Sequence, residues 1–69
     1  MEFDFNKLKS RIHAKGYTYT SFAKELGISN NSLCEKLRNH QPFKVVEIFK
    51  AKELLDLENV DNYFFVKRA

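Results

Sequence analysis

The sequence predicts an all-α domain of five short helices, two of which form a helix-turn-helix. Three observations carry this expectation. Residues 18–37 read as two short amphipathic segments hinged at Gly27. Apolar side chains elsewhere recur at three- and four-residue spacing, the period of one helix face. The chain holds only two glycines and one proline among its 69 residues, with no linker, repeat or low-complexity stretch, so residues 1–69 are expected to form one domain.

Each element has a local reason. Asp4 or Asn6 can cap the first helix, whose face is Phe5, Leu8 and Ile12 and whose end is Gly16. The second helix runs from about Tyr19 to Leu26 behind Thr18, a hydroxyl able to accept from a free backbone N–H one turn in. Its apolar face is Phe22, Ala23 and Leu26, with Ala23 small where two helices must approach closely. Gly27 supplies the positive φ of a helix C-terminus, and Ile28 plugs the corner. Ser29 caps the third helix, from about Asn30 to Arg38, with Leu33 and Leu37 facing inward. The helix-turn-helix thus spans roughly residues 18–38. A fourth helix follows Pro42, from about Lys44 to Leu55, and residues 56–59 form a turn. A last helical turn from about Glu58 to Tyr63 precedes Phe64, Phe65 and Val66, whose β-branched and aromatic character fits an edge strand or a packed tail.

The expected core is Phe5, Leu8, Ile12, Phe22, Ala23, Leu26, Ile28, Leu33, Leu37, Phe43, Ile48, Ala51, Leu55, Leu57, Val60 and Phe64. A chain this short buries only about 60% of its unfolded surface. Seven Phe and three Tyr help to offset that. The single cysteine cannot form an internal disulfide, no apolar run approaches a membrane span, and the acidic N-terminus lacks a signal-peptide pattern; the expected location is the cytoplasm. The net charge is +3. The whole excess lies in residues 1–40, where Lys7, Lys9, Arg11, Lys15, Lys24, Lys36 and Arg38 outnumber Glu2, Asp4, Glu25 and Glu35. A phosphate-facing surface needs such an imbalance.

Gly16-Tyr-Thr, then Phe22-Ala-x-x-Leu-Gly-Ile-Ser29, then Ser32-Leu-x-x-Lys-Leu37, resembles the Cro/repressor class of phage helix-turn-helix proteins. With Phe43, Glu47-Ile48, Glu53-Leu-Leu and Tyr63-Phe-Phe65, nearly the whole chain looks like the very small regulators of phages of Gram-positive bacteria. These include the modulator of repression of temperate lactococcal phages. The resemblance implies a lambda-repressor-like fold and operator DNA as partner. It places base contacts on Ser29, Asn30, Asn31 and Glu35, and backbone contacts on Tyr19, Lys24, Lys36, Arg38, Asn39 and His40. Asparagine pairs with adenine N6 and N7, and a carboxylate accepts from cytosine N4. Two positions depart from the pattern: Tyr19 stands where related repressors usually carry glutamine, and Glu35 is acidic near phosphate.

Enzymatic readings find little support. Cys34, His13 and His40 form neither a nucleophile signature nor a zinc-ligand spacing, and there is no glycine-rich phosphate loop, so no cofactor or metal is expected. The fourth helix carries apolar residues on two sides: Ile48, Ala51 and Leu55 on one, Val45, Val46 and Phe49 on the other. The second side, extended by Phe65 and Val66, is either buried between helices or a surface for a protein partner. Two functions follow: a Cro-like regulator that binds an operator, as a possible homodimer, or a modulator that acts by binding the lysogenic repressor.

Overall fold

A computed structural model describes residues 2–67. The element order is α1 (Asn6–Ala14), α2 (Tyr19–Leu26), α3 (Asn30–Leu37), α4 (Val45–Leu54) and α5 (Asp61–Phe64). The domain is all-α, as expected. Among the described residues the sole β pairing is an isolated antiparallel bridge between Phe3 and Lys67, with the Asp4 N–H donating to the Val66 carbonyl at 2.6 Å. The segment after α5 is therefore a short packed tail, and Phe64 belongs to α5 rather than to that tail. α5 also starts later than the sequence suggests, because Asn59 accepts from the Asn62 N–H and holds the residues before Asp61 in a turn.

Four helices stop the same way. In each, the residue in the left-handed region bonds three residues back, and its successor bonds five residues back from itself. The pairs are Gly16 to His13 with Tyr17 to Ile12, and Gly27 to Lys24 with Ile28 to Ala23. Asn39 to Lys36 with His40 to Glu35, and Asp56 to Glu53 with Leu57 to Lys52, complete the set. This Schellman arrangement satisfies carbonyls that the helix leaves without partners. Gly16 and Gly27 take φ of 84° and 79° without steric cost. Asn39 (67°) and Asp56 (53°) take it as non-glycines. Arg11, on α1, adds a cation to the end of α4: its Nε donates to the Leu55 carbonyl at 2.9 Å and its Nη2 to the Asp56 carbonyl at 3.2 Å.

The helix starts differ in strength. Thr18 accepts from the Ser21 N–H at 3.1 Å while Ser21 Oγ accepts from the Thr18 N–H at 2.9 Å, a reciprocal capping box. Ser29 accepts from the Ser32 N–H at 3.1 Å. α1 has no side-chain cap on its Phe5 N-cap; Asp4 Oδ1 instead accepts from the Asn6 N–H.

The core is one cluster. Leu8, Ile12, Phe22, Ala23, Leu26, Leu33, Leu37, Ala51, Leu55, Leu57, Phe5 and Phe64 are all buried. Ile28, Phe43, Ile48 and Val60 are only partly buried and pack on its edge, a correction to the expected core. α2 packs chiefly on α3, and Ala23, 1% exposed, leaves them room. An aromatic layer closes one side: Phe3 meets Phe65, Phe5 meets Phe43 and Phe43 meets Phe64, edge-to-face with centroids at 5.9, 5.3 and 5.0 Å. Leucine at position 23 would overfill the α2–α3 contact; Ala23→Leu should lower stability by about 1–3 kcal/mol, read from the urea midpoint followed by circular dichroism.

Candidate nucleic-acid interface

The second helix of the helix-turn-helix, α3, is held from three sides. Ser29 fixes its start, α2 packs along it, its last turn is tied to α4, and the turn that follows is tied to the N-terminal segment. Helical spacing then sorts its residues. Leu33, Lys36 and Leu37 point inward and are buried. Asn31, Cys34, Glu35 and Arg38 fall at i, i+3, i+4 and i+7, one outward stripe. Asn31 and Arg38 are exposed; Cys34 and Glu35 are half-buried. Asn30 is exposed at the first turn beside them.

Three expected contact residues are engaged inside the fold. Lys36 is 4% exposed, with its Nζ 2.5 Å from Glu47 Oε1 on α4. Its ammonium cannot reach a phosphate, which removes it from the backbone-contacting set. The sequence held a signal for this: Lys36 lies three residues after Leu33, on the buried side. Asn39 is likewise a clamp. Its Oδ1 accepts from the Phe3 N–H at 2.8 Å and its Nδ2 donates to the Phe3 carbonyl at 3.0 Å, as a neighbouring strand would. The Ser29 hydroxyl is committed to the Ser32 N–H and donates to Ser32 Oγ at 3.0 Å, so its first role is the cap.

Glu35 and His40 occupy one another. Glu35 Oε2 and His40 Nδ1 lie 2.5 Å apart, with side chains 28% and 62% exposed. The carboxylate is thus turned toward the α3–α4 loop and paired there with His40. Tyr19, at the first position of α2, is half-buried with its ring 5.1 Å from that of His13. Lys24 is exposed. Arg11 and Lys36 both serve structural bonds, so the cations open to phosphate on this half are fewer than the sequence count implies. On α4, Lys50 Nζ lies 3.9 Å from where a Cβ on Gly27 would sit, which brings one more cation beside the α2–α3 turn.

Glu47, absent from the sequence-derived site, joins α3 to the start of α4. Oε1 accepts from Lys36 Nζ of α3 and from the Lys44 N–H, the free donor at the start of α4, at 2.9 Å. Burial pushes the Glu47 carboxyl up. The Lys36 and Lys44 hydrogen bonds and the charges of both lysines outweigh it, and the net is a value below the ordinary 4.5. Among the described residues no buried side-chain nitrogen or oxygen lacks a partner.

The apolar outer side of α4 is open. Val45, Val46 and Phe49 are 66%, 64% and 58% exposed, and Phe65 is 49% exposed. Val66 is only partly buried, and its carbonyl is taken by Asp4. A groove of about 280 Å³ lies on the aromatic side, between the α3–α4 loop, Phe5 and Phe64. No helix among the described residues is long and apolar enough to cross a membrane.

Over residues 1–67 the chain matches the family described as protein of unknown function (DUF739), and it belongs to that family. No curated protein matches it.

Two outcomes check the Lys36–Glu47 bond. Glu47→Ala strands a buried ammonium and should cost about 3–5 kcal/mol in urea unfolding. Because the folded-state value of Glu47 lies below its unfolded value, its contribution is present above pH about 4.5 and is lost as pH falls through the lowered value. Wild type should therefore lose more stability than Glu47→Gln on acidification below that point, measured by urea midpoint against pH.

Proposed function

We propose that the chain is a phage-type transcriptional regulator of a lysogeny–lysis switch, of the Cro-like or modulator-of-repression kind, acting in the host cytoplasm. It binds operator DNA by laying α3 in the major groove. The observation that supports this is the outward stripe Asn31, Cys34, Glu35 and Arg38 on a helix whose opposite side is locked into the core. A helix-turn-helix needs its second helix so placed, with its N-terminal residues toward base edges.

The roles divide by chemistry. Asn30 and Asn31 offer amides for adenine at the entering end of α3. Arg38 and Lys24 neutralise phosphate on either side, and the Tyr19 hydroxyl is a donor near the start of α2. His40 draws Glu35 away from bare contact with phosphate. A second reading rests on Val45, Val46 and Phe49, with Phe65 nearby: these form a surface for the lysogenic repressor, and DNA binding is then secondary.

Both readings have direct tests with a duplex selected by the protein from a randomised pool. Asn31→Ala should weaken binding to that duplex by roughly tenfold while circular dichroism stays unchanged. Equal affinity in fluorescence anisotropy counts against α3 as the reading helix. Arg38→Ala should lower affinity for all duplexes and reduce the slope of log affinity against log salt by about 1. For the second reading, Phe49→Lys should abolish co-purification with the repressor from the same phage and leave the monomer folded; a retained complex excludes that face.

A further inference from the structure

We infer that the buried Lys36–Glu47 pair is a positioning device: it fixes the pose of α3 on α4, and with it the alignment of the outward stripe. This rests on the DNA-binding reading above and adds to it residues that touch no DNA.

The geometry is specific. Lys36 and Glu47 meet at 2.5 Å with side chains 5% and 6% exposed. One carboxylate oxygen also holds the Lys44 N–H, so the bond fastens the last turn of α3 to the first turn of α4. Stability alone does not explain a charged pair here. Removing two charges from water is costly, and well-packed apolar replacements of similar volume are often neutral or stabilising. What a charged pair supplies is direction: Nζ must meet Oε1, whereas two apolar side chains can slide on each other.

Magnitude decides whether this matters at the stripe. Apolar helix packing tolerates about 15–20° of scatter in orientation. α3 has eight residues and is about 12 Å long, so such a tilt about its middle moves either end by about 2 Å. Hydrogen bonds to a base edge tolerate only about half an ångström. Lys36 lies one residue from Glu35 and two from Arg38, so a tilt of this end of α3 carries the stripe with it. The other tie at this end, Asn39 to Phe3, holds the following turn to the N-terminal segment and not to α4.

The test compares wild type with Lys36→Met/Glu47→Leu, which keeps approximate volume and removes both charges. Thermal unfolding should stay cooperative. The ratio of affinity for the wild-type-selected duplex to that for a scrambled duplex should fall about tenfold. Affinity for the scrambled duplex and its salt slope should not change. An unchanged ratio overturns the inference. Residual dipolar couplings on the DNA-free proteins give a second measure: the angle between α3 and α4 should differ between the two, and an identical angle overturns the inference. If wild type selects no duplex, the DNA reading fails, and the couplings still decide the positioning role. Should the double variant not fold, Lys36→Arg serves in its place. It keeps the charge but changes its reach, so the same fall in ratio is expected, and an unaltered ratio overturns the inference.

Discussion

No helix among the described residues is long enough to stand alone. The longest, α4, has ten residues, and α5 has four. Isolated helices below about 12–15 residues are marginal in water even with favourable sequences. Every helix here therefore depends on neighbours, and each must end sharply enough for the chain to return to them. The repeated helix stop at Gly16, Gly27, Asn39 and Asp56 meets that need. It satisfies backbone carbonyls and turns the chain within two residues, so that short helices share one core. The aromatic layer and the buried pair follow from the directions these stops impose.

The second consequence of small size is that charge has two duties. A domain of this length lacks apolar surface to spare, so basic side chains that would suit a phosphate-facing surface are drawn into the fold. Arg11 covers the end of α4, and Lys36 crosses to Glu47. The exposed cations nearest the α2–α3 unit include Lys24 on α2, Arg38 at the end of α3 and Lys50 beside the turn. Counting lysines and arginines overstates the electrostatic footprint; where each cation ends determines it.

Much of the scaffold was legible because its signals are local. Thr18, Ser29 and Gly27 mark their own helix ends, and α2 runs from Tyr19 to Leu26 as its apolar period and caps predict. The open side of α4 was visible as apolar residues off the core face; the structure decides for exposure over burial. The candidate site was less legible. Lys36 lies eleven residues from Glu47, and Asn39 lies thirty-six from Phe3. No local period encodes such pairings, because they arise only once the stops have aimed the helices. Phe43 and Ile48 missed full burial for a related reason: they flank the aromatic groove at the edge of the core, where covering segments are thin.

Asn39 shows how tightly a small chain can load one position. Its backbone must take a positive φ to end α3, and its amide must both give and receive a bond with Phe3. Glycine meets the first demand and has no amide. Aspartate tolerates the backbone and accepts, but its carboxylate donates nothing. Glutamine carries the same amide one methylene further out, on a backbone less suited to that region. In terms of permitted change, the position is nearly closed, while Gly16, with open space around it, answers to backbone shape alone. Substitution at the end of α3 is thereby constrained by the N-terminal segment, far away in sequence and adjacent in space.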